Sequence, residues 1–399
     1  MPVNRLSVCD QVQNRNNFTI MRLIAATAVI WGHSFALTHA HGMRDPIAIF
    51  WGGQTYSGTI AVHMFFVISG FLVTRSMMTA RSSVDFVLAR ILRIFPGLVV
   101  CNILIILVVG WLATDLPFSA YISNPLTEKY LVNNTLLNSL PSYNLPGAFA
   151  GHRYQSVNGS LWTLPGEVRL YVTLAGLLLI WPVMRMLRVP ARIYFGLGCL
   201  GWVLICAYQP LSDFLQNFAS EHPVSGGYLT LLNIYPKYLA LGLYFFAGGL
   251  LYVLSPWIVL HWGLFLAALA VFLVPHFEPS WTGMAHLFSL PYLTLYLAYG
   301  LPYVARLNNF GDFSYGIYIY GWPMQQFAVL MVTPTMSPHL NFGLATIMAL
   351  TAAVLSWFLV EKPALKWRRP ISTLVQTKAD NLLTRLKMSR VAGPERSRA

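Results

Sequence analysis

Long apolar segments recur along almost the whole chain, and they constrain its fold more than any other feature of the sequence. The hydrocarbon core of a bilayer is about 30 Å thick, which a helix of about 20 apolar residues can cross. A transmembrane β-strand is only about ten residues long and alternates in polarity, so uninterrupted apolar runs predict helices. The sequence therefore predicts an all-α fold, a polytopic membrane helical bundle of about ten transmembrane helices. The ten segments are Phe18–Leu37, Gly58–Met78, Ile94–Leu112, Leu170–Met184, Ile193–Tyr208, Tyr238–Leu254, Trp257–Val274, Met284–Tyr303, Phe313–Val332 and Phe342–Val360.

The composition supports this interpretation. Charged residues make up 10% of the chain, whereas a soluble domain carries about 25%. So few charges cannot cover a surface that faces water on all sides. The same composition excludes a disordered chain, a collagen and a disulfide scaffold. The four cysteines lack the spacing of metal ligands, so no metal site is predicted.

The basic residues are distributed unevenly between the two sides of the predicted bundle. If the N-terminus lies in the cytoplasm, 21 of the 26 Lys and Arg residues lie at the inner face. Cytoplasmic loops carry such an excess, so both termini are predicted to be cytoplasmic. Because topology accounts for the net charge of +13, no nucleic-acid partner is expected.

The chain is expected to form one membrane domain, residues 18–366, between two cytoplasmic segments. Residues 1–17 form the N-terminal segment. The longest outer loop covers about residues 113–166, and loops of this length are usually functional or disordered. Residues 367–399 form a basic cytoplasmic tail that is expected to be disordered and to lie on anionic lipid.

Two ionisable residues lie inside the first predicted span, where such groups are costly and usually functional. Arg22 and His33 are eleven residues apart, so at 100° per residue both side chains project from one helix face. They stand about 16 Å apart along the axis, with Arg22 near the cytoplasmic interface and His33 in the outer half. Alternatively, Arg22 reaches the lipid headgroups and His33 is a packed core histidine.

Arg90 and Arg93 lie at the inner end of the third span. At a spacing of three they share one helical face, and two adjacent guanidinium groups suit the binding of phosphate. Alternatively, they are ordinary cytoplasmic charge. In the second span, Ser69 and Gly70 allow a neighbouring helix to approach closely or the helix to bend.

Glu167 lies where the chain re-enters the membrane after the outer loop, beside Trp162 and on the same side as His33. A carboxylate in this position can cap the N-terminus of a helix. It can equally orient a histidine or hold a hydroxyl group of a substrate. The sequence alone leaves these alternatives open.

Six motifs occur in an order that resembles acyltransferase family 3, a family of bacterial membrane acyltransferases, over about residues 16–366. They are the pair Arg22 and His33, the run Phe65 to Phe71, the set Arg90, Arg93 and Pro96, the stretch Ser160 to Glu167, the set Ser314, Tyr315 and Tyr318, and the run Val360 to Pro363. Many members of the family carry a histidine where this chain has Gly321. We therefore assign the ninth span no role in proton transfer.

The resemblance implies an O-acyltransferase in the bacterial cytoplasmic (inner) membrane. Such an enzyme moves an acyl group, commonly acetyl, from cytoplasmic acetyl-CoA or another acyl-CoA to a hydroxyl of a carbohydrate such as O-antigen, exopolysaccharide or another surface glycan. The donor is a co-substrate, and no permanently bound cofactor is expected. The expected site consists of His33 and Glu167 as catalytic residues, Arg22, Arg90 and Arg93 as donor-binding residues, and Ser69, Trp162 and Tyr315 as lining of the substrate site. His33 is expected to act either as a general base or as the carrier of an acyl intermediate.

Two other functions stay open on the sequence alone. A transporter of a sugar or lipid-linked intermediate would use His33 and Glu167 as proton-coupling groups. Such proteins have repeated halves with broken helices, and no internal repeat is visible in the sequence. A structural or regulatory subunit would account for Gly321 but not for the retained charged residues. The acceptor and the oligomeric state are left open as well.

Overall fold

The computed structural model describes residues 4–5, 15–38, 42–80, 82–137, 141–207, 236–274 and 279–378. Within these ranges the chain is mostly helical, which confirms the all-α class. Five helical segments are long and apolar enough to cross a membrane. They are Phe18–Leu37, Ser57–Thr79, Ser83–Gly110, Gly159–Met186 and Pro338–Lys378. Each of the ten predicted segments overlaps a helix.

We number the helices in chain order. The first half contains α1 (Phe18–Leu37), α2 (Pro46–Phe50), α3 (Ser57–Thr79), α4 (Ser83–Leu104, continued by a π-helix over Ile105–Gly110), α5 (Phe118–Ile122), α6 (Pro125–Leu136), a 3₁₀ turn (Gly159–Trp162), α7 (Thr163–Met186) and α8 (Ala191–Ala207). The second half contains α9 (Pro236–Leu254), α10 (Trp262–Leu273), α11 (Pro279–Leu295, continued by a π-helix over Tyr296–Gly300), α12 (Ala305–Phe310), α13 (Ser314–Met331), α14 (Pro338–Ser356, continued by a π-helix over Trp357–Glu361) and α15 (Lys362–Lys366). Two short strands, β1 (Asn4–Arg5) and β2 (Val259–Leu260), pair antiparallel.

Glycines bring the central helices into backbone contact. A Cβ atom on Gly70 of α3 would overlap the carbonyl group of Phe245 in α9, and one on Gly248 would overlap the carbonyl group of Val67. Small residues at such a crossing allow close packing between membrane helices. The close approach predicted from Ser69 and Gly70 is therefore observed.

Gly321 has a similar role where α13 crosses α1. A Cβ atom at this position would lie 2.9 Å from Cγ1 of Ile30, which is closer than carbon atoms normally pack. A larger side chain at position 321 would therefore require the side chain of Ile30 to move aside.

The last part of the predicted outer loop packs against α13, and it is buried from Val157 to Asn158. Residues 154–160 run along α13, and side chains of α13 bind their carbonyl groups. Gln326 donates to the carbonyl of Tyr154 (2.6 Å), and Tyr318 donates to that of Ser160 (3.0 Å). These two positions on α13 are eight residues, or about 12 Å, apart. Irregular backbone is tolerated at this depth because protein groups satisfy its hydrogen bonds.

The ordered chain also continues beyond the predicted domain end at residue 366. Residues 368–378 are helical, and we call them the tail helix. Arg368 forms an ion pair with Asp85 near the start of α4 (2.7 Å), and this contact holds the tail helix against the bundle. The predicted disordered tail therefore has an ordered beginning. Residues 379–399, like residues 6–14, lie outside the described residues.

Candidate active site

A cavity of about 380 Å³ lies between α1, α3, α4, α7 and α13. Its volume is in the lower part of the ~300–1,000 Å³ range of small-molecule sites. Residues far apart in the sequence meet in its wall. Six of the eight predicted site residues line the cavity: Arg22, Ser69, Arg90, Arg93, Glu167 and Tyr315.

Two of the cavity arginines are held by carboxylates that the sequence analysis did not single out as site residues. Asp312, in the loop before α13, contacts Arg22 at 2.9 Å and Arg93 at 2.6 Å. Arg93 also contacts Glu361 at 3.2 Å. Charges removed from water need such partners. Arg22 and Arg93 are therefore fixed in position, and Asp312 joins them.

The electrostatics of Asp312 follow from this arrangement. Burial would by itself raise the pKa of its carboxyl group, but Arg22 and Arg93 outweigh burial and lower the pKa from 3.8 to about 2. The hydroxyl of Ser314 also donates to Asp312 (2.6 Å) and favours the same charged form. Asp312 is thus ionised at neutral pH.

Arg90 differs from its two neighbours. No carboxylate forms an ion pair with it within the described ranges, and its Nε atom has no hydrogen-bond partner there. Its guanidinium carbon lies 5.8 Å from the centre of the Tyr171 ring, a cation–π contact. Arg90 therefore has donors that remain available for an anionic ligand.

Glu167 lies in the cavity wall, one turn into α7. Its Oε1 atom accepts hydrogen bonds from the hydroxyl of Tyr171 and, at 3.4 Å, from that of Ser69. The two hydroxyl groups are 3.1 Å apart. No hydrogen bond joins Glu167 to His33 in the part of the chain that the structure describes. The spacing Glu167–Tyr171, four residues on a helix, could have indicated this pair.

His33 lies outside the cavity, farther along α1. It is buried, and its ring meets the ring of Trp322 edge to face at a centroid distance of 4.8 Å. Its Nδ1 atom has no hydrogen-bond partner among the described residues. Arg22 contacts Asp312 directly before α13, and His33 contacts Trp322 within α13. Both therefore face the same neighbouring helix, as their predicted shared face requires.

Trp162 also lies outside the cavity wall. Its ring lies nearly parallel to that of Tyr238 in α9, with ring centres 6.5 Å apart. Trp322 packs against the end of the outer loop: a Cβ atom on Gly159 would touch its indole ring. Because Trp322 also contacts His33, it lies between the buried loop and the histidine. The sequence analysis had assigned it no role.

These features define the class: a multi-pass helical membrane protein with an internal cavity rich in arginine. More specifically, the chain belongs to acyltransferase family 3, whose family model, described as an acyltransferase domain, matches residues 15–360. The match confirms the predicted family.

Two relatives support this assignment. The chain is 29% identical to an O-acetyl transferase of Shigella phage Sf6 over 357 residues, which cover 87% of this chain and 95% of the relative. It is 28% identical to Nodulation protein 10 of Rhizobium leguminosarum bv. viciae over 367 residues, which cover 89% and 94%. The family and the first relative confirm the predicted enzyme class, an O-acyltransferase. No solved structure matches the chain.

Proposed function

We propose that this protein transfers an acetyl group from cytoplasmic acetyl-CoA to a hydroxyl group of a carbohydrate acceptor, such as a surface glycan. One observation carries the proposal. Arg22, which lines the cavity together with Arg90 and Arg93, lies on the same helix as His33. A basic site for an anionic donor and a candidate proton acceptor thus share one rigid element.

The orientation in the membrane is part of the proposal. Ten membrane spans with both termini in the cytoplasm would put the arginine end of the cavity towards the inner face of the bacterial inner membrane. The positive-inside bias of the sequence supports this orientation. Acyl-CoA is made in the cytoplasm, so its phosphate groups would meet the arginines first.

Donor binding would use the three arginines differently. Arg22 and Arg93 are oriented by Asp312 and present a fixed positive surface. Arg90 has unpaired donors and would form the direct bidentate contact with a phosphate group. Tyr315 would support this arrangement, because its ring packs under Arg93 at 5.6 Å and its hydroxyl donates to the carbonyl of Ile94.

The acyl end of the donor would point from the cavity towards His33. The cavity wall reaches Val62 of α3, four residues or about 6 Å from Gly58. Gly58 packs against Gly32, next to His33. The thioester of a bound donor would therefore be separated from the ring of His33 by only a short distance. Trp322 would lie beside the route between them.

At His33 the unpartnered Nδ1 atom is free to take part in the reaction. As a general base, it would take the proton of the acceptor hydroxyl while the oxygen attacks the thioester carbonyl; the C–S bond then breaks and the thiolate of CoA is released and protonated. Such catalysis contributes ~10²–10⁴-fold. In the alternative, His33 attacks first and carries the acetyl group to the acceptor.

Glu167 would act at the donor rather than on His33. Its carboxylate holds the hydroxyl groups of Tyr171 and Ser69 in the cavity wall. The hydroxyl of Ser69, whose contact with Glu167 is long at 3.4 Å, could rotate and donate its one proton to a carbonyl oxygen of the donor's acyl arm. Trp162, which packs against α9, would shape the entrance for the acceptor.

The test uses the purified protein in lipid nanodiscs with radiolabelled acetyl-CoA and surface glycan extracted from a strain that lacks the gene. We expect glycan-dependent release of CoA thiol and label on the glycan. Calorimetry with CoA should show saturable binding. Labelled glycan without CoA binding would contradict the proposed donor, and CoA binding without labelled glycan would contradict the proposed acceptor.

A further inference from the structure

Arg368 is a fourth arginine in the wall of the cavity. It lies beyond residue 360, where the match to the family ends, and beyond the predicted end of the membrane domain. It belongs to the tail helix, near the end of the helical segment Pro338–Lys378, whereas the other three arginines lie on α1 and α4. Neither the sequence motifs nor the relatives assign it a role.

Asp85 holds Arg368 in a bidentate ion pair. The Nε and Nη2 atoms of Arg368 lie 2.9 and 2.7 Å from the two carboxylate oxygens. Asp85 is itself fixed near the start of α4, where its backbone N–H donates to the hydroxyl of Ser82. A guanidinium group has five N–H donors, so this pair occupies two and leaves three for a ligand.

Arg368 lies towards the solvent side of the cavity. Its side chain is 35% exposed, against 24% for Arg22 and 19% for Arg93. It is also near enough to Arg90 for their charges to repel each other. An anion placed between these two guanidinium groups would relieve that repulsion.

We propose that Arg368, positioned by Asp85, binds a phosphate group at the nucleotide end of the donor. The inference rests on the proposed function, since it takes acyl-CoA as the donor. CoA carries a pyrophosphate and a 3′-phosphate, whereas 4′-phosphopantetheine carries one phosphate. Arg90, deeper in the cavity, serves the phosphate shared by both molecules. Arg368, nearer the mouth, serves a phosphate that only the nucleotide supplies, so it selects CoA thioesters over thioesters of phosphopantetheine.

The probes are CoA, 3′-dephospho-CoA and 4′-phosphopantetheine, titrated calorimetrically into the full-length protein in nanodiscs. Arg368→Gln should weaken CoA binding about tenfold. This is the lower end of the loss expected when a charge-assisted hydrogen bond is removed, because the site is partly exposed to solvent. It should leave the affinity for phosphopantetheine unchanged. The matched control is Arg369→Gln, which removes the same charge from the next, exposed residue and should leave the affinity for CoA unchanged.

A double variant separates binding from structure. Arg368→Gln leaves Asp85 without its partner, so weakened binding could reflect a displaced tail helix. Asp85→Asn combined with Arg368→Gln removes both charges and leaves no unpaired carboxylate. If Arg368 binds phosphate, CoA affinity stays low in the double variant and the KM for acetyl-CoA rises with little change in kcat. Recovery of CoA affinity in the double variant would show a structural ion pair and overturn the inference.

The remaining outcomes distinguish this inference from the proposed function. If the unmodified protein binds CoA and Arg368→Gln binds it equally well, the inference is wrong and the proposed donor stands. An equal loss of affinity for CoA and phosphopantetheine would also overturn it, because Arg368 would then contact the shared phosphate. If the unmodified protein does not bind CoA, the proposed donor fails, and this inference fails with it.

Discussion

The two ends of α1 use different chemistry. At the Arg22 end, charged groups dominate: Arg22 and Arg93 meet Asp312, and Glu361 completes the cluster. At the His33 end, Arg153 and Asp45 contact only uncharged groups among the described residues, including the carbonyl of Thr38 and the hydroxyl of Ser57, and neutral side chains make the other polar contacts. The amide of Gln325 there lies 2.8 Å from the carbonyl of Ile30 and 2.9 Å from the hydroxyl of Ser34.

This difference separates two tasks within one helix. A site for an anion needs fixed positive charge, and fixed charge inside a bundle needs carboxylates to hold it. A histidine that exchanges a proton needs the opposite, a place where its protonation disturbs no ion pair. The ring of His33 packs against Trp322, and no ion pair among the described residues includes His33.

The largest expected effect comes from removing the reactive group at the His33 end. His33→Ala should reduce acetyl transfer by ~10²–10⁴-fold and leave CoA affinity unchanged, because the donor phosphates bind at the other end. Transfer of labelled acetyl and calorimetry measure the two quantities. His339→Ala, at an exposed histidine of α14, is the control and should retain activity. Full activity in His33→Ala would contradict the assignment.

The next effect distinguishes the arginines of the charged end. Lysine keeps the charge but loses the bidentate geometry. Arg90→Lys should weaken CoA binding roughly 10- to 150-fold without changing thermal stability, because Arg90 forms no ion pair within the described ranges. Arg93→Lys should lower the unfolding temperature, since one ammonium group cannot hold both Asp312 and Glu361. Normal CoA affinity in both variants would refute the donor site.

A smaller effect tests the neutral network near His33. Gln325→Ala leaves the buried Oδ1 atom of Asn341 without its donor, which costs about 1–3 kcal/mol of stability; the hydroxyl of Ser34 still donates to the carbonyl of Ile30. Because no charges are involved, the loss should be the same at low and high salt. Thermal unfolding of the detergent-solubilised protein measures it, with Thr351→Ala, on the exposed face of α14, as the control. A strong salt dependence would contradict a neutral network.

The smallest effect is an acid sensitivity of the charged end. In the folded protein the pKa of Asp312 is lowered from 3.8 to about 2. The ionised carboxylate therefore stabilises the fold fully above the pKa of the unfolded chain, and this stabilisation is lost as the pH falls through the pKa of the folded protein. The unfolding temperature should therefore fall between about pH 4 and pH 2. Asp312→Asn should flatten this part of the profile, whereas Glu128→Gln, at an exposed acid, should not. An unchanged profile in Asp312→Asn would exclude this role.

Helical periodicity determined much of this arrangement in advance. A helix face follows from residue spacing alone, so the sequence correctly placed Arg22 and His33 on one side of α1. It also placed Arg90 and Arg93 together, and both line the cavity. The apolar runs likewise predicted where helices occur. Such runs lie in lipid or in the protein interior, where a helix satisfies the backbone hydrogen bonds within the segment.

Other features were decided only by the tertiary structure. Asp312 and Glu361 hold Arg93 across 219 and 268 residues of chain, and no local pattern encodes such distances. The polar residues before Glu167 look like a solvated outer loop. They are held against α13, where Trp322 donates to the carbonyl of Ser156, 166 residues away. Backbone polar groups need a hydrogen-bond partner wherever they lie; whether water or a distant side chain supplies it depends on how the helices pack.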